Sequence, residues 1–348
     1  MNQTLNGIRR ILITILVAMG VGALFIVAIG ENPIDAYAAL FRGAFDGELR
    51  LGTTLAGFTP LLLTSIAFAV AAKAGAFNVG VEGEVFLGGI TAAYIGINWT
   101  FLPKPALYVA CFVGAMVVAA AWAFIPAVLR AYYNVNEVCT TILMNTVAPY
   151  ITSYLVSGPM SAGTANAQSL PVTVRLYQFM KPSSVNVGIF IAAITVIVII
   201  FMLQKSSWGY KIRTVGLNPT HADYVGIDSK KVFVGAMMLS GMLGGMAGCI
   251  EVLGVHGYFL NNFATGLGSN GMLAALIVKN NMVSTPFMAF FLAVLKSGAM
   301  GMQQSTGVPK SLVDTITAVF IIIATMETAF QFTKKRKKKT EEKKEDKA

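Results

Sequence analysis

The side chains able to do chemistry gather in three places. Asn78, Glu82 and Glu84 fall in a glycine-rich interruption between two apolar runs. Asn136, Glu137, Thr141 and Asn145 open another run, and positions 137, 141 and 145 recur every four residues, so they share one helix face. Asn270 lies in a second break, Gly266-Leu-Gly-Ser-Asn-Gly271. A carboxylate inside an apolar span is costly and is paired or functional. Glu82 therefore either caps the helix that follows it, where the helix dipole favours negative charge, or meets a solute. Asn136 and Glu137 either cap the run they precede or extend a polar stripe that glues helices or lines a path. Amides and hydroxyls suit a neutral polar solute and match a highly charged one poorly.

Catalytic constellations are missing from the sequence. The two histidines, His221 and His256, have no Ser/His/Asp context. Glu251 and His256 near a span end read as solvated or snorkelled, and His221 as a surface residue. Cys111, Cys139 and Cys249 sit in apolar runs without a CxxC or Cys/His spacing, which predicts small buried side chains and no metal. A phosphate-cradling GxxxxGK[ST] loop does not occur.

The elements that must position these groups are apolar. Of 348 residues, 55% are hydrophobic and 12% charged, against about 25% charged in a soluble domain. Mean hydropathy is +0.68. The net charge of +10 does not point to nucleic acid, because nine of the 26 Lys and Arg residues lie after Phe332. Residues 333–348 read as a basic, disordered cytosolic tail, able to attract anionic lipid. The rest, 1–332, reads as one membrane domain.

Spans are predicted at 11–29, 51–72, 106–129, 138–156, 187–203, 232–253, 286–302 and 312–330, with short apolar pieces at 85–97 and 272–278 that follow the two breaks. Arg9 and Arg10 before the first run are read with a retained span. Residues 32–50 read as an amphipathic, acidic segment and 157–186 as a long loop. The fold class is all-α, a polytopic bundle of about eight to ten spans with broken half-helices. With ten crossings and a cytosolic N-terminus, ten basic residues plus the nine of the tail fall inside and six outside, with Lys296 in a span. That bias places both termini in the cytosol. The two breaks each put Phe three residues before Gly (Phe77 and Gly80, Phe263 and Gly266) and then reach an apolar piece. An internal repeat around a midplane path and coincidence explain this equally well. Gly241, Gly244, Gly245 and Gly248 form a small-residue face for close helix packing.

One polar stretch interrupts the later spans: Trp208-Gly-Tyr-Lys-Ile-Arg-Thr-Val-Gly-Leu-Asn-Pro-Thr-His-Ala-Asp-Tyr-Val-Gly-Ile. Asn218 is an N-cap type, Pro219 suits the first helical position and Gly226 the end. A helix of about two turns is predicted within 218–227, and an ordinary inter-helix loop is the other reading. The stretch resembles the cytosolic coupling-helix region of ABC-importer permeases of the ribose, branched-chain amino acid and nucleoside group. Lys73-Ala-Gly-Ala-Phe-Asn-Val-Gly-Val-Glu-Gly-Glu, Asn136-Glu-Val-Cys-Thr-Thr-Ile-Leu-Met-Asn and Gly307-Val-Pro-Lys-Ser-Leu match in the same order. Within that family the chain is most similar to permeases that work with basic-membrane-protein-type lipoproteins. It departs at Gly268-Ser-Asn-Gly271, where members often carry Gly-Phe-Asp-Gly.

The resemblance implies a bacterial plasma-membrane subunit that is not an enzyme. It implies a coupling contact through Gly216, Asn218, Pro219, His221, Ala222, Tyr224 and Gly226. It implies a cytosolic ABC ATPase carrying ATP and magnesium, a second permease subunit (a paralogue or a second copy) and an extracellular substrate-binding lipoprotein. No cofactor is expected on this chain. The implied solute is a nucleoside, with a simple sugar or an amino acid as alternatives. An ion-coupled secondary transporter is the competing class, and it would need carboxylates deep in spans.

Overall fold

The computed structural model describes residues 19–306 and isolated positions between 309 and 318. The start of the first predicted span, half of 307–312, most of the last span and the tail lie outside the described residues. The named elements are all helices, as the composition requires, with three isolated β-bridges. Two compact units are present, one formed by Met1–Phe45 with Leu295–Ala348 and the other by Asp46–Val294.

In the first unit, α1 (Met19–Ala28) and α2 (Pro33–Phe45) meet at 116°. Gly30 makes the bend possible with φ +91°, and the Asn32 side chain accepts the N–H of Ile34 at 3.0 Å. The Tyr37 hydroxyl donates back to the Met19 carbonyl at 2.6 Å. Ile26, Ala36 and Leu40 pack with Ala299 and Met302.

The second unit holds α3 (Gly47–Lys73), α4 (Val81–Asn98), α5 (Lys104–Tyr133), α6 (Glu137–Ser157), α7 (Gly188–Lys205), α8 (Ser207–Leu217), α9 (Pro219–Tyr224), α10 (Ser229–Ile250) and α11 (Leu267–Ile277), and α12 (Thr285–Thr306) begins in it. Helix α10 packs on α5, α4 and α3, and glycine sets how close it comes. A Cβ on Gly241 would lie 2.7 Å from the Ala119 carbonyl, and Cβ atoms on Gly245 and Gly248 would run into the carbonyls of Ala115 and Val85. The span windows of α3 and α10 are 78% and 72% buried, whereas those of α5 and α7 are 33% and 28% buried. The exposed residues of the latter pair are apolar, Val109, Val113 and Val117 on α5 and Phe190, Ile194 and Ile197 on α7. Lipid is the solvent for such faces.

Among the described residues five helices are long and apolar enough to cross a membrane, or six if α1 and α2 form one bent span. The eight to ten expected also include the span at 312–330, which lies mostly outside the described residues, and two helices whose composition keeps them out of this count. Helix α4 carries Glu82 and Glu84 in its first turn and α6 carries amides and hydroxyls, so neither passes on hydropathy. At about 1.5 Å per residue, their 18 and 21 residues still reach about 27 and 32 Å. The apolar piece at 85–97 is therefore no half-helix; it belongs to a full helix that starts at Val81. Helix α11, with 11 residues, is a half-helix as expected.

The end of α10 widens into a π-helical turn, Glu251–His256, and the 158–187 loop covers it. Backbone N–H groups of Leu176, Val172 and Ser169 donate to the carbonyls of Leu253, Gly257 and Phe259, each at 2.9 Å. Gln178 Nε2 donates to the Gly254 carbonyl at 2.8 Å. Carbonyls released by the irregular helix thus find donors in the loop. Glu251 is 7% exposed and lies 3.7 Å from His256, which is half-buried, so neither is fully solvated as expected.

Candidate functional site

The two glycine-rich breaks come together. Helix α4 begins one residue after Gly80, and α11 begins one residue after Gly266. Glu82 stands in the first turn of α4, yet its carboxylate serves α11: Oε1 accepts the N–H of Gly266 at 3.0 Å, and Oε2 accepts the hydroxyl and N–H of Ser269 at 3.3 and 3.4 Å. Capping of its own helix, expected from the sequence, is replaced by capping across 184 residues. Gly268 makes this possible, because a Cβ there would strike the backbone of Glu82. Two helix N-termini, each bearing partial positive charge, share one carboxylate.

Asn78 is fully buried and organises the other side of the junction. Its Oδ1 accepts the N–H of Gly80 at 2.9 Å, and its Nδ2 donates to Glu84 Oε1 at 2.8 Å and to the Ser240 hydroxyl of α10 at 2.9 Å. Glu84 Oε2 is buried without a hydrogen-bond partner and lies 2.8 Å from where a Cβ on Gly244 would be. Helix α6 clamps the same backbone from outside. Asn145 Oδ1 accepts the N–H of Gly83 at 2.8 Å, and its Nδ2 donates to the Val79 carbonyl at 2.6 Å.

The other polar residues of α6 have local tasks. Asn136 caps the helix by accepting the N–H groups of Val138 and Cys139 at 2.9 and 3.3 Å, so capping is what it does. Glu137 pairs with Arg130 at 3.1 Å. Thr141 is 1% exposed, bonds the Glu137 carbonyl at 2.7 Å and packs on Gly80. Asn270 is half-buried in the first turn of α11. Beside it Thr265 and Ser269 are exposed, and Asn261 reaches Ser153 of α6 at 3.4 Å. Sequence reasoning did not single out Thr265 or Ser269, although Thr265 adjoins and Ser269 lies within the break that held Asn270. Phe263 backs this surface, stacked edge-on with Phe86 and Phe259 at centroid distances of 5.6 and 5.1 Å. Among the described residues there is no group of three His, Cys, Asp or Glu able to hold a metal ion.

A second candidate lies at the α8–α9–α10 corner. Asn218 Oδ1 accepts the N–H of His221 at 3.0 Å, and Pro219 opens the helix. At the other end Gly226 adopts φ +82°, with its N–H on the Asp223 carbonyl at 3.1 Å and the Ile227 N–H on the Ala222 carbonyl at 2.9 Å. This crossed pair is a Schellman closure. The helix is one residue short of two turns and is closed at both ends. Ala222 is fully buried beneath it, and His221 is exposed. Leu217 and Tyr224 are 88% and 85% exposed. Gly216 rests on the Lys73 carbonyl, where a Cβ does not fit. Asp228 caps α10, and the Lys231 N–H first and the Lys231 side chain next hold its carboxyl below the usual range.

The family described as branched-chain amino acid transport system, permease component, matches residues 50–325, which include both breaks and the corner. The chain belongs to this family. It is a multi-pass membrane permease component, as its resemblance implied. A guanosine ABC transporter permease protein of Bacillus subtilis is 32% identical over 337 residues, covering 94% of this chain and 96% of that one. A glucose ABC transporter permease protein of Haloferax volcanii is 32% identical over 89% of this chain and 85% of its own. A nucleoside ABC transporter permease protein of Lactococcus lactis is 30% identical over 92% and 91%. Each of these three matches covers at least 85% of both chains.

Proposed function

We propose that the chain is the membrane subunit of an ABC importer that passes neutral polar solutes, nucleosides foremost, driven by ATP hydrolysis on separate ATPase subunits. The observation that carries this reading is α9. It is short, closed at both ends and presents Tyr224 outward, with Leu217 exposed at the end of α8 beside it, as a docking knob for a soluble partner must. In this reading Gly216, Asn218, Pro219, His221, Ala222, Tyr224 and Gly226 build the knob. The chain itself binds no cofactor, and ATP with magnesium sits on the partner. A second permease subunit completes the path, a lipoprotein delivers solute from outside, and both termini with the 333–348 tail face the cytosol.

The path runs beside the junction of α4, α6 and α11. Glu82, Asn145 and Asn270 with Ser269 and Thr265 stand at its edge, while Asn78, Asn136, Glu137 and Thr141 hold the backbone behind it. The Glu82 charge is balanced by N–H groups of α11, so the edge offers hydroxyls and amides to an uncharged solute. Relatives named for guanosine and nucleosides favour a nucleoside, and the relative named for glucose keeps a sugar as the second reading.

Co-expression with its ATPase and lipoprotein tests the proposal. Uptake of labelled guanosine into vesicles should require ATP and be competed by unlabelled nucleosides more strongly than by glucose or leucine. Transport by the purified chain without nucleotide would refute the class, and competition by glucose alone would refute the solute.

A further inference from the structure

The corner between α9 and α10 holds a contact that ties the end of one helix to the start of the next. Asp223, in the last turn of α9, directs its carboxylate to the first residue of α10. Its Oδ1 accepts the Ser229 N–H and its Oδ2 accepts the Ser229 hydroxyl, both at 2.9 Å. Helix α10 already has a cap, since Asp228 Oδ1 accepts the Lys231 N–H at 3.0 Å. Helix α9 is already closed by its Schellman pair. Between Asp223 and Ser229 the chain turns through Gly226, whose freedom of φ and ψ makes the covalent link alone a soft one. Two hydrogen bonds to a carboxylate stiffen it.

The contact continues inward. Helix α10 carries Ser240, which Asn78 holds together with Glu84. From α9 a chain of directed bonds and one helix therefore reaches the irregular backbone at 78–80 and the first turn of α4.

We propose that Asp223 is the positioning residue that makes α9 and α10 move as one body, so that displacement of α9 reaches Ser240 and the α4 junction. This rests on α9 being the ATPase-docking helix. Without the clasp, α9 follows its partner while Gly226 absorbs the motion.

The test uses the full transporter in proteoliposomes, with Asp223→Ala, Asp223→Asn and Ser229→Ala. Three quantities are measured: ATPase retained on the permease, ATP hydrolysed, and labelled guanosine, uridine or glucose taken up per ATP. Asp223→Ala should keep the ATPase and its hydrolysis but lose uptake per ATP by about ten-fold, the scale of one lost charged hydrogen bond. Asp223→Asn should restore most of the coupling, because its carbonyl accepts the Ser229 N–H and its amide donates to the Ser229 hydroxyl. Ser229→Ala keeps the backbone bond and should fall between them. Should Asp223→Ala fold poorly, the isosteric Asp223→Asn and the small change Ser229→Ala still order the effects. Unchanged uptake per ATP in Asp223→Ala overturns the proposal. So does loss of ATPase retention in that variant, which would make Asp223 a docking contact, and so does equal uncoupling in Asp223→Asn. An unsubstituted chain that retains no ATPase is a separate result, and it strikes the docking reading itself.

Discussion

Replacing Glu82 by alanine removes the acceptor of two N–H groups and one hydroxyl at the start of α11. The 3.0 Å bond from Gly266 is the one to count. The two from Ser269 are longer, and Ser269 is exposed, so water can take them over. A hydrogen bond to a charged group contributes about 1.5–3 kcal/mol, and the dipole interaction adds about 0.3–1 kcal/mol. Glu82 and Gly266 are both half-buried, which puts the expected loss near the lower end, about 2 kcal/mol. For a unit of this size that lowers the unfolding midpoint by about 4–8 °C. Glu82→Gln keeps one acceptor oxygen and should lose about half as much. Thermal unfolding in detergent reads the midpoint, and hydrogen exchange locates the damage. Exchange should quicken at 266–270 and stay unchanged at 82–86, because alanine maintains the first turn of α4. Faster exchange in α4 with α11 unaffected would mean that Glu82 serves its own helix and does not hold the start of α11.

Other substitutions probe the neighbouring contacts. Asn145→Ala strands the Gly83 N–H and the Val79 carbonyl and should cost about 2–3 kcal/mol, while Asn145→Asp sets a carboxylate oxygen against the Val79 carbonyl and should cost no less; the unfolding midpoint orders the two. Gly248→Ala drives a methyl into the Val85 carbonyl and should cost about 1–3 kcal/mol, seen as loss of the monodisperse peak in size-exclusion chromatography. Asp228 has a depressed folded pKa, so its capping contribution is present above the unfolded value of about 3.9 and is lost as pH falls through the folded value. The midpoint should therefore drop more between pH 6 and pH 3 in the parent than in Asp228→Asn, whose amide oxygen caps at either pH.

What the sequence revealed depended on how far apart the partners lie. The ends of α9 were legible because Asn218, Pro219 and Gly226 act within a few residues of the N–H and C=O groups they close. The glycine face of α10 was legible because its spacing is helical. The start of α4 was misjudged because Glu82 and Glu84 count as charges in any local window. In the structure Glu82 meets Gly266 and Glu84 meets Asn78, so the helix runs through them. Glu251 and His256 were misjudged for a related reason, since the strand-like cover from 169–178 lies more than 70 residues away in sequence. The Asn145 stripe was recognised as one face of a helix, but pattern alone could not say that its amide would spend both donor and acceptor on 79–83.

Two kinds of contact with different mechanical character meet at α10. Toward α5 and the body of α4, glycines place backbone on backbone, and such packing has no alternative partner if the helices part. Toward the junction, the contacts are side-chain bonds of Asn78 to Ser240 and Glu84, and of Glu82 to Gly266 and Ser269. The Glu82 bonds are the ones that can change partner, because Glu82 and Gly266 are half-buried and Ser269 is exposed, so water can replace them at little net cost, whereas Asn78, Glu84 and Ser240 are buried away from water. A movement reaching α10 would therefore carry α5 and much of α4 with it and would be taken up where the polar bonds are. On this argument the start of α11, held by Glu82 with bonds of 3.0 to 3.4 Å, is the part that yields first. Among the described amides, the first turn of α11 should accordingly show the earliest hydrogen exchange of any helix start in contact with α3 or α4. Slower exchange there than at the Asn136-capped start of α6 would contradict it.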